Sequence, residues 1–320
     1  MNNRLKQTPA TTKQIDSEMQ SLLNKYTSNR KPVAVEDYDW DDIKPHTITE
    51  DLKEAIGFVT LVESNPTAPA QKLLDAADRS DAPWLRRFIN QTWLPEESMH
   101  AAPYREYLIR GGGYDQHYID SEIDQVRNRG FVHGEGYSEL EAATYGWLQE
   151  LITWRFYDSM RTHIISISSE KHPYDKVLVK ILGDIAKQEN FHRHVYLTGA
   201  KTVLKHSPHR KDEVISAVAE FLMPGHHMAP NWQPKAPSWA IKFNFSVKNL
   251  IKDILRDLYN LTGYNGVGQA TIQYGYKNAS HQKWYVKSMA KVLAPISKPY
   301  KSPLNYMSGK LLTKVFGVTK

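Results

Sequence analysis

Four stretches of this chain place apolar residues at helical spacing, and each stripe carries a carboxylate among them. Leu52, Ile56, Val59 and Glu63 follow one another at intervals of 4, 3 and 4, which puts them on one helical face. Ile89, Trp93, Glu97, His100, Tyr104 and Leu108 form a second stripe, apolar at both ends and ionisable in the middle. Ala143, Trp147, Glu150, Thr153, Trp154 and Tyr157 share a third face. Leu178, Leu182, Ile185, Glu189, His192 and Tyr196 make the fourth and most regular, stepping by 4, 3, 4, 3 and 4.

Punctuation sets the expected bounds. Thr47-Ile48-Thr49-Glu50 has the capping-box pattern of a helix start, and Pro66 and Pro69 end or kink that helix. The second helix runs from Pro83, a residue favoured in a first turn, to Arg110 before Gly111-Gly112-Gly113. Pro103 lies inside it and is expected to bend it. The third and fourth helices span about Ser138 to Arg161 and Pro173 to Lys205, with shorter ones at Asp120–Arg127, Lys211–Met223 and Val247–Leu261. Residues 1–46 read as arm and loop, and Met223 to Ser238 as loop. After Gly263 the pattern decays into a helix around Ser280–Leu293 and a tail. The expected organisation is therefore an arm over 1–46, an all-α domain over 47–263 and an extension over 264–320. No run approaches the roughly 18 apolar residues of a membrane span.

A buried carboxylate without a partner is costly enough to protonate or be lost, so packing alone does not account for one on each of four consecutive helices. Glu97 and His100, and again Glu189 and His192, are three residues apart, which brings both heads to one helical face. One such pair reads most simply as a surface salt-bridge or hydrogen-bond pair. Two pairs are half of a carboxylate-bridged di-metal bundle, which takes one further Glu from each remaining helix. Glu63 and Glu150 fill those places. Four carboxylates and two imidazoles suit iron or manganese better than zinc, balance two divalent ions and leave open positions for O2. A glycosidase pair of acids would leave both histidines unexplained.

Composition narrows the chemistry. The absence of cysteine excludes disulfides, thiolate zinc sites, iron–sulfur clusters and a Cys nucleophile, so electrons must come from another molecule. Residues 241–320 hold 13 Lys and Arg against Asp253 and Asp257, while the first 240 hold 28 basic and 33 acidic residues. A mildly acidic body thus carries a basic end, suited to an acidic partner. Met1 to Lys31 lacks the apolar core of a secretion signal, and a cytoplasmic protein is expected, or a plastid-stromal one in a plant.

The order Glu, Glu-x-x-His, Glu, Glu-x-x-His resembles the soluble acyl-carrier-protein desaturases. Trp93-Leu94-Pro95-Glu96-Glu97-Ser98-Met99-His100 is similar to their Trp-Thr-Ala-Glu-Glu-x-x-His, Gln149-Glu150 to their Gln-Glu, and Ile185-Ala186-Lys187-Gln188-Glu189 to their Ile-Ala-x-Asp-Glu. The resemblance covers residues 45–205 well and 206–260 loosely. It implies a ferritin-like four-helix bundle with flanking helices, and a di-iron centre held by Glu63, Glu97, His100, Glu150, Glu189 and His192. It makes Trp93 and Gln188 the partners that orient ligands, and it places Thr153 beside the oxygen site as a catalytic residue. It further implies O2-dependent formation of a cis double bond in an acyl chain borne by acidic acyl carrier protein. Electrons would come from a ferredoxin-type donor, and the assembly would be a homodimer with no nucleic-acid partner and no membrane span. Lys283, Lys287 and Lys291 are the expected carrier-docking residues. Gln188 departs from the family's Asp, and Leu151 replaces an Arg. Another di-iron oxygenase, hydroxylase or N-oxygenase, and a non-catalytic helical protein with a basic tail are the alternatives.

Overall fold

The computed structural model describes residues 8–263 except 28, 29, 45–47, 132, 230 and 232. No strand occurs among them, and the α-helices, with one π-helical turn, begin in the order α1 (Pro9–Thr27), α2 (Glu50–Glu63), α3 (Thr67–Ser80), α4 (Pro83–Phe88), the π-helical turn (Ile89–Trp93), α5 (Leu94–Arg110) and α6 (Gln116–Arg129). Then come α7 (Glu139–Ser166), α8 (Lys176–His206), α9 (Lys211–Ala219), α10 (Gly225–Met228), α11 (Ala236–Lys242) and α12 (Val247–Thr262). The expected helix around Ser280–Leu293 and the lysines expected to dock the carrier lie outside the described residues, as does Thr47.

The four helices with acidic stripes assemble as two pairs. α2 packs chiefly on α5 and α7 on α8, and α5 meets α8 across the middle. This is a ferritin-like four-helix bundle, and the remaining helices flank it. Local chemistry starts each member. Thr49 caps α2 by accepting from the Leu52 amide, so the helix begins two residues later than the Thr47 capping box suggests. Ser138 and Glu141 form a reciprocal capping box on α7. Asp175, fully buried, caps α8 through the Leu178 amide at 2.9 Å. Its other oxygen accepts from the Lys44 amide at 2.7 Å and the Tyr107 hydroxyl at 2.8 Å, which ties the chain before α2 and α5 to the start of α8.

The α7–α8 pair is close because Gly146 admits the Tyr196 ring. A Cβ on Gly146 would stand 2.7 Å from that ring. On the outside, α12 is held to α7 and α8 by Arg155 to Asp253 and by Arg193 to Asp257 at 3.6 Å.

Several expectations need correction. Residues 9–27 are helix, not arm and loop: Ile15, Met19 and Leu23 step by four along α1 and are buried. That stripe is narrow in a polar sequence, and α1 owes its stability to docking on α4 and α8. Thr67–Ser80 is also helical. Pro66 caps it and Pro69 sits in its first turn, so the two prolines that close α2 open α3. α6 is longer than Asp120–Arg127, and α10 and α11 occupy parts of the stretch read as loop. α5 continues through Pro103 to Arg110.

Candidate metal centre

Glu63 is the last residue of α2, Glu97 and His100 lie early in α5, Glu150 is mid-way along α7, and Glu189 and His192 are mid-way along α8. All six side chains are buried. The π-helical turn ends at Trp93, one turn before Glu97, and such turns insert where a functional side chain must be re-aimed.

The six residues form two overlapping groups, Glu63, Glu97, His100 and Glu189 in one, and Glu97, Glu150, Glu189 and His192 in the other. Within each group one atom per residue lies within 4.8 Å of every other. Each group thus has its own histidine and its own carboxylate, and both share Glu97 and Glu189. His100 Nδ1 stands 3.2 Å from Glu189 Oε1, 3.4 Å from Glu97 Oε2 and 3.7 Å from Glu63 Oε2. His192 Nδ1 stands 3.0 Å from Glu97 Oε1 and 4.0 Å from Glu150 Oε2.

Hydrogen bonds fix which ring nitrogen faces inward. The Gln188 amide donates from Nε2 to the Lys31 carbonyl at 2.9 Å, so its Oε1, 2.8 Å from His100 Nε2, must accept. Glu96 Oε2 lies 2.9 Å from His192 Nε2 and likewise accepts. Both Nδ1 atoms therefore face the carboxylates. Glu97 Oε1, Glu150 Oε2, both oxygens of Glu189 and the Nδ1 atoms of His100 and His192 make no hydrogen bond. Buried polar atoms are rarely left so. Carboxylate oxygens and imidazole nitrogens converging at such distances fit divalent cations, and the oxygen-rich donor set fits hard ones.

The electrostatics agree. Burial pushes the carboxyls of Glu63, Glu150 and Glu189 up, and the charge on Glu97 pushes in the same direction. Glu150 is raised to about 7. Burial also opposes the charge on Glu97, but His100 and His192 outweigh it and hold Glu97 below the usual carboxylate range. For His192, burial works downward while Glu96 and Glu97 raise the ring to about 9. Cations inside the cluster would relieve this mutual repulsion.

Other contacts steady the carboxylates. Trp93 Nε1 donates to Glu150 Oε1 at 2.7 Å, and the Tyr157 hydroxyl donates to Glu63. Thr153, one turn after Glu150, lines a cavity of about 130 Å³ together with Glu63, Glu97 and Trp93. The walls of that cavity are apolar: Phe58, Val62, Ile152, Phe156, Met223 and Leu250. The sequence reading missed Glu96 and Arg30. A signal for Glu96 was present, because it precedes Glu97 just as Gln188 precedes Glu189. Arg30 had none.

The sequence model of the fatty acid desaturase family matches residues 65–245, more than half of the chain. The chain belongs to that family. It is 26% identical over 164 residues to stearoyl-acyl-carrier-protein 9-desaturase 6, chloroplastic, of Arabidopsis thaliana. That match takes in 50% of this chain and 38% of the plant protein, so the chain spans well under half of that relative's length. It is 21% identical over 237 residues to a provisionally named acyl-acyl-carrier-protein desaturase, DesA1, of Mycobacterium tuberculosis, covering 70% of this chain and 69% of the other. None of the described helices is long and apolar enough to cross a membrane.

Proposed function

We propose that the chain is a di-iron, O2-dependent desaturase that introduces a cis double bond into an acyl chain carried on acyl carrier protein. The observation that carries this reading is the pair of acid–histidine groups sharing Glu97 and Glu189 beside an apolar cavity. Family membership supports the reaction class, and the relatives' names support the carrier. Glu63 and His100 would hold one iron and Glu150 and His192 the other, with Glu97 and Glu189 between them. When bound, the two ions supply the one-electron steps and O2 reduction that breaking two unactivated C–H bonds demands.

The protein's own contribution is placement and insulation. Phe58, Val62, Ile152 and Phe156 offer the acyl chain a dry wall, which orients neighbouring methylenes toward the acid cluster and keeps water away. Tyr157 holds Glu63 through its hydroxyl and Trp93 holds Glu150 through its indole N–H, so neither carboxylate is free to swing. Thr153 is the hydroxyl on the cavity wall beside these groups, and we assign it proton transfer at Oγ. The overall change converts two adjacent CH2 groups, O2, two electrons and two protons into a CH=CH unit and two waters. A ferredoxin-type donor provides the electrons, since the chain contains no cysteine for an iron–sulfur cluster of its own.

The test is anaerobic Fe(II) loading, then O2 with a reduced ferredoxin system and a series of acyl-acyl-carrier-protein chain lengths. Mass spectrometry should find a product lighter by two hydrogens. A product heavier by one oxygen would make the chain a hydroxylase, and turnover of acyl-coenzyme A alone would remove the carrier from the reading.

A further inference from the structure

The two histidines of the centre are held from behind by unlike groups, and both holds lead to one short segment before α2. Behind His192 stands Glu96, a carboxylate only 3% exposed. Arg30 grips it with both arms, Nε to Oε1 at 2.9 Å and Nη2 to Oε2 at 2.6 Å. The same guanidinium lies 3.8 Å above the ring of Phe191, the neighbour of His192. Behind His100 stands Gln188, whose amide is turned by the carbonyl of Lys31. Adjacent residues of one segment thus reach the outer partner of each imidazole, across 66 and 157 positions of sequence respectively.

The two holds differ in chemistry. Glu96 gives His192 a charged acceptor, which makes the imidazole a stronger donor to a metal, and an unheld carboxylate would turn away. A bidentate Arg fixes both its charge and its plane. Gln188 gives His100 a neutral acceptor, and no charged side chain is needed to orient it. Arg30 is therefore tied to one half of the centre only.

We infer that Arg30 is a positioning residue for the metal ion at His192, acting through Glu96, and that the segment carrying Arg30 and Lys31 completes the metal centre from outside the bundle. This rests on the metal-centre reading above. Arg30→Gln removes the charge and the fork. It weakens the His192 site by about 10- to 100-fold, the usual effect of losing such a partner, and leaves the His100 site unchanged. Glu96→Gln, which keeps an acceptor on His192 but abolishes the pairing with Arg30, moves the same site in the same direction. Arg30→Lys restores part of the affinity, because charge returns without the planar fork. Gln188→Leu weakens the other site instead.

The experiment is titration of the metal-free full-length chain with Co(II), followed by its ligand-field absorption, with thermal unfolding of each variant measured alongside. The wild type should take up two ions per chain. The inference predicts that one step of the isotherm shifts in Arg30→Gln and in Glu96→Gln, the other step stays in place, and melting of the metal-free proteins changes little. Wild-type isotherms for both variants overturn it. So does equal weakening of both steps with a lower melting temperature, which would make Arg30 a general structural tie. If the wild type binds no Co(II), the metal-centre reading itself fails, and that outcome is distinct from the others.

Discussion

At the scale of single residues, the proposed centre is organised by what stands behind each proposed ligand as much as by those ligands. Glu150 Oε1 receives the Trp93 N–H while its Oε2 has no hydrogen bond, so one oxygen is anchored and the other is presented. Trp93→Phe keeps the ring and deletes the donor. Metal binding at that site should weaken by at least about 10-fold, measured by Co(II) titration. Glu150→Ala goes further. Bound iron should fall from two ions per chain toward one, by elemental analysis, and desaturation should be lost; full activity in that variant would sink the proposed ligand set. Thr153→Val tests the hydroxyl while retaining the shape. Iron content should stay at two per chain, and kcat should fall by about 10-fold or more if Thr153 transfers a proton.

At the scale of elements, the bundle depends on close approach of α7 and α8, and two glycines respond oppositely to one substitution. Gly146→Ala forces a methyl group against the buried Tyr196 ring, which should destabilise by about 1–3 kcal/mol. Gly183 lies on α8, and a Cβ added there would stand 3.4 Å from the aliphatic part of Arg161. Gly183→Ala should instead stabilise by about 0.5–1 kcal/mol, through helix propensity. Urea midpoints of the two variants decide both predictions. The four bundle helices were legible because wide apolar stripes at period 3.6 are a strong signal, and their acids stood out against it. α1 and α3 were not legible. α1 offers a narrow stripe amid polar residues, and Pro66 and Pro69 read as the ending of α2 when they open α3. Arg30 and Glu96 show the further limit. A salt bridge over 66 positions leaves no local pattern, since nothing in a helix period registers a partner on another element.

For the whole molecule, four buried acids confined with two imidazoles make the metal-free state the strained one. Divalent ions that bind only the folded chain should raise its stability by about 2.7 kcal/mol per site at 100 times Kd. Chelation should therefore lower the melting temperature and Fe(II), Mn(II) or Co(II) should restore it, by calorimetry under anaerobic conditions. Equal melting with and without metal would contradict a centre formed at these residues. The link from Lys31 to Gln188 has a consequence for how the molecule comes into being. Its two ends are separated by 157 positions, so a growing chain leaves the ribosome with Arg30 and Lys31 long before α8 exists. Loop closure over such a distance is slow and late. The last partners to arrive, Gln188, Glu189 and His192, are also those that finish the pocket of charge. Nascent α2 and α5 must therefore wait with Glu63, Glu96 and Glu97 still hydrated, and ions can be captured tightly only once synthesis has passed α8.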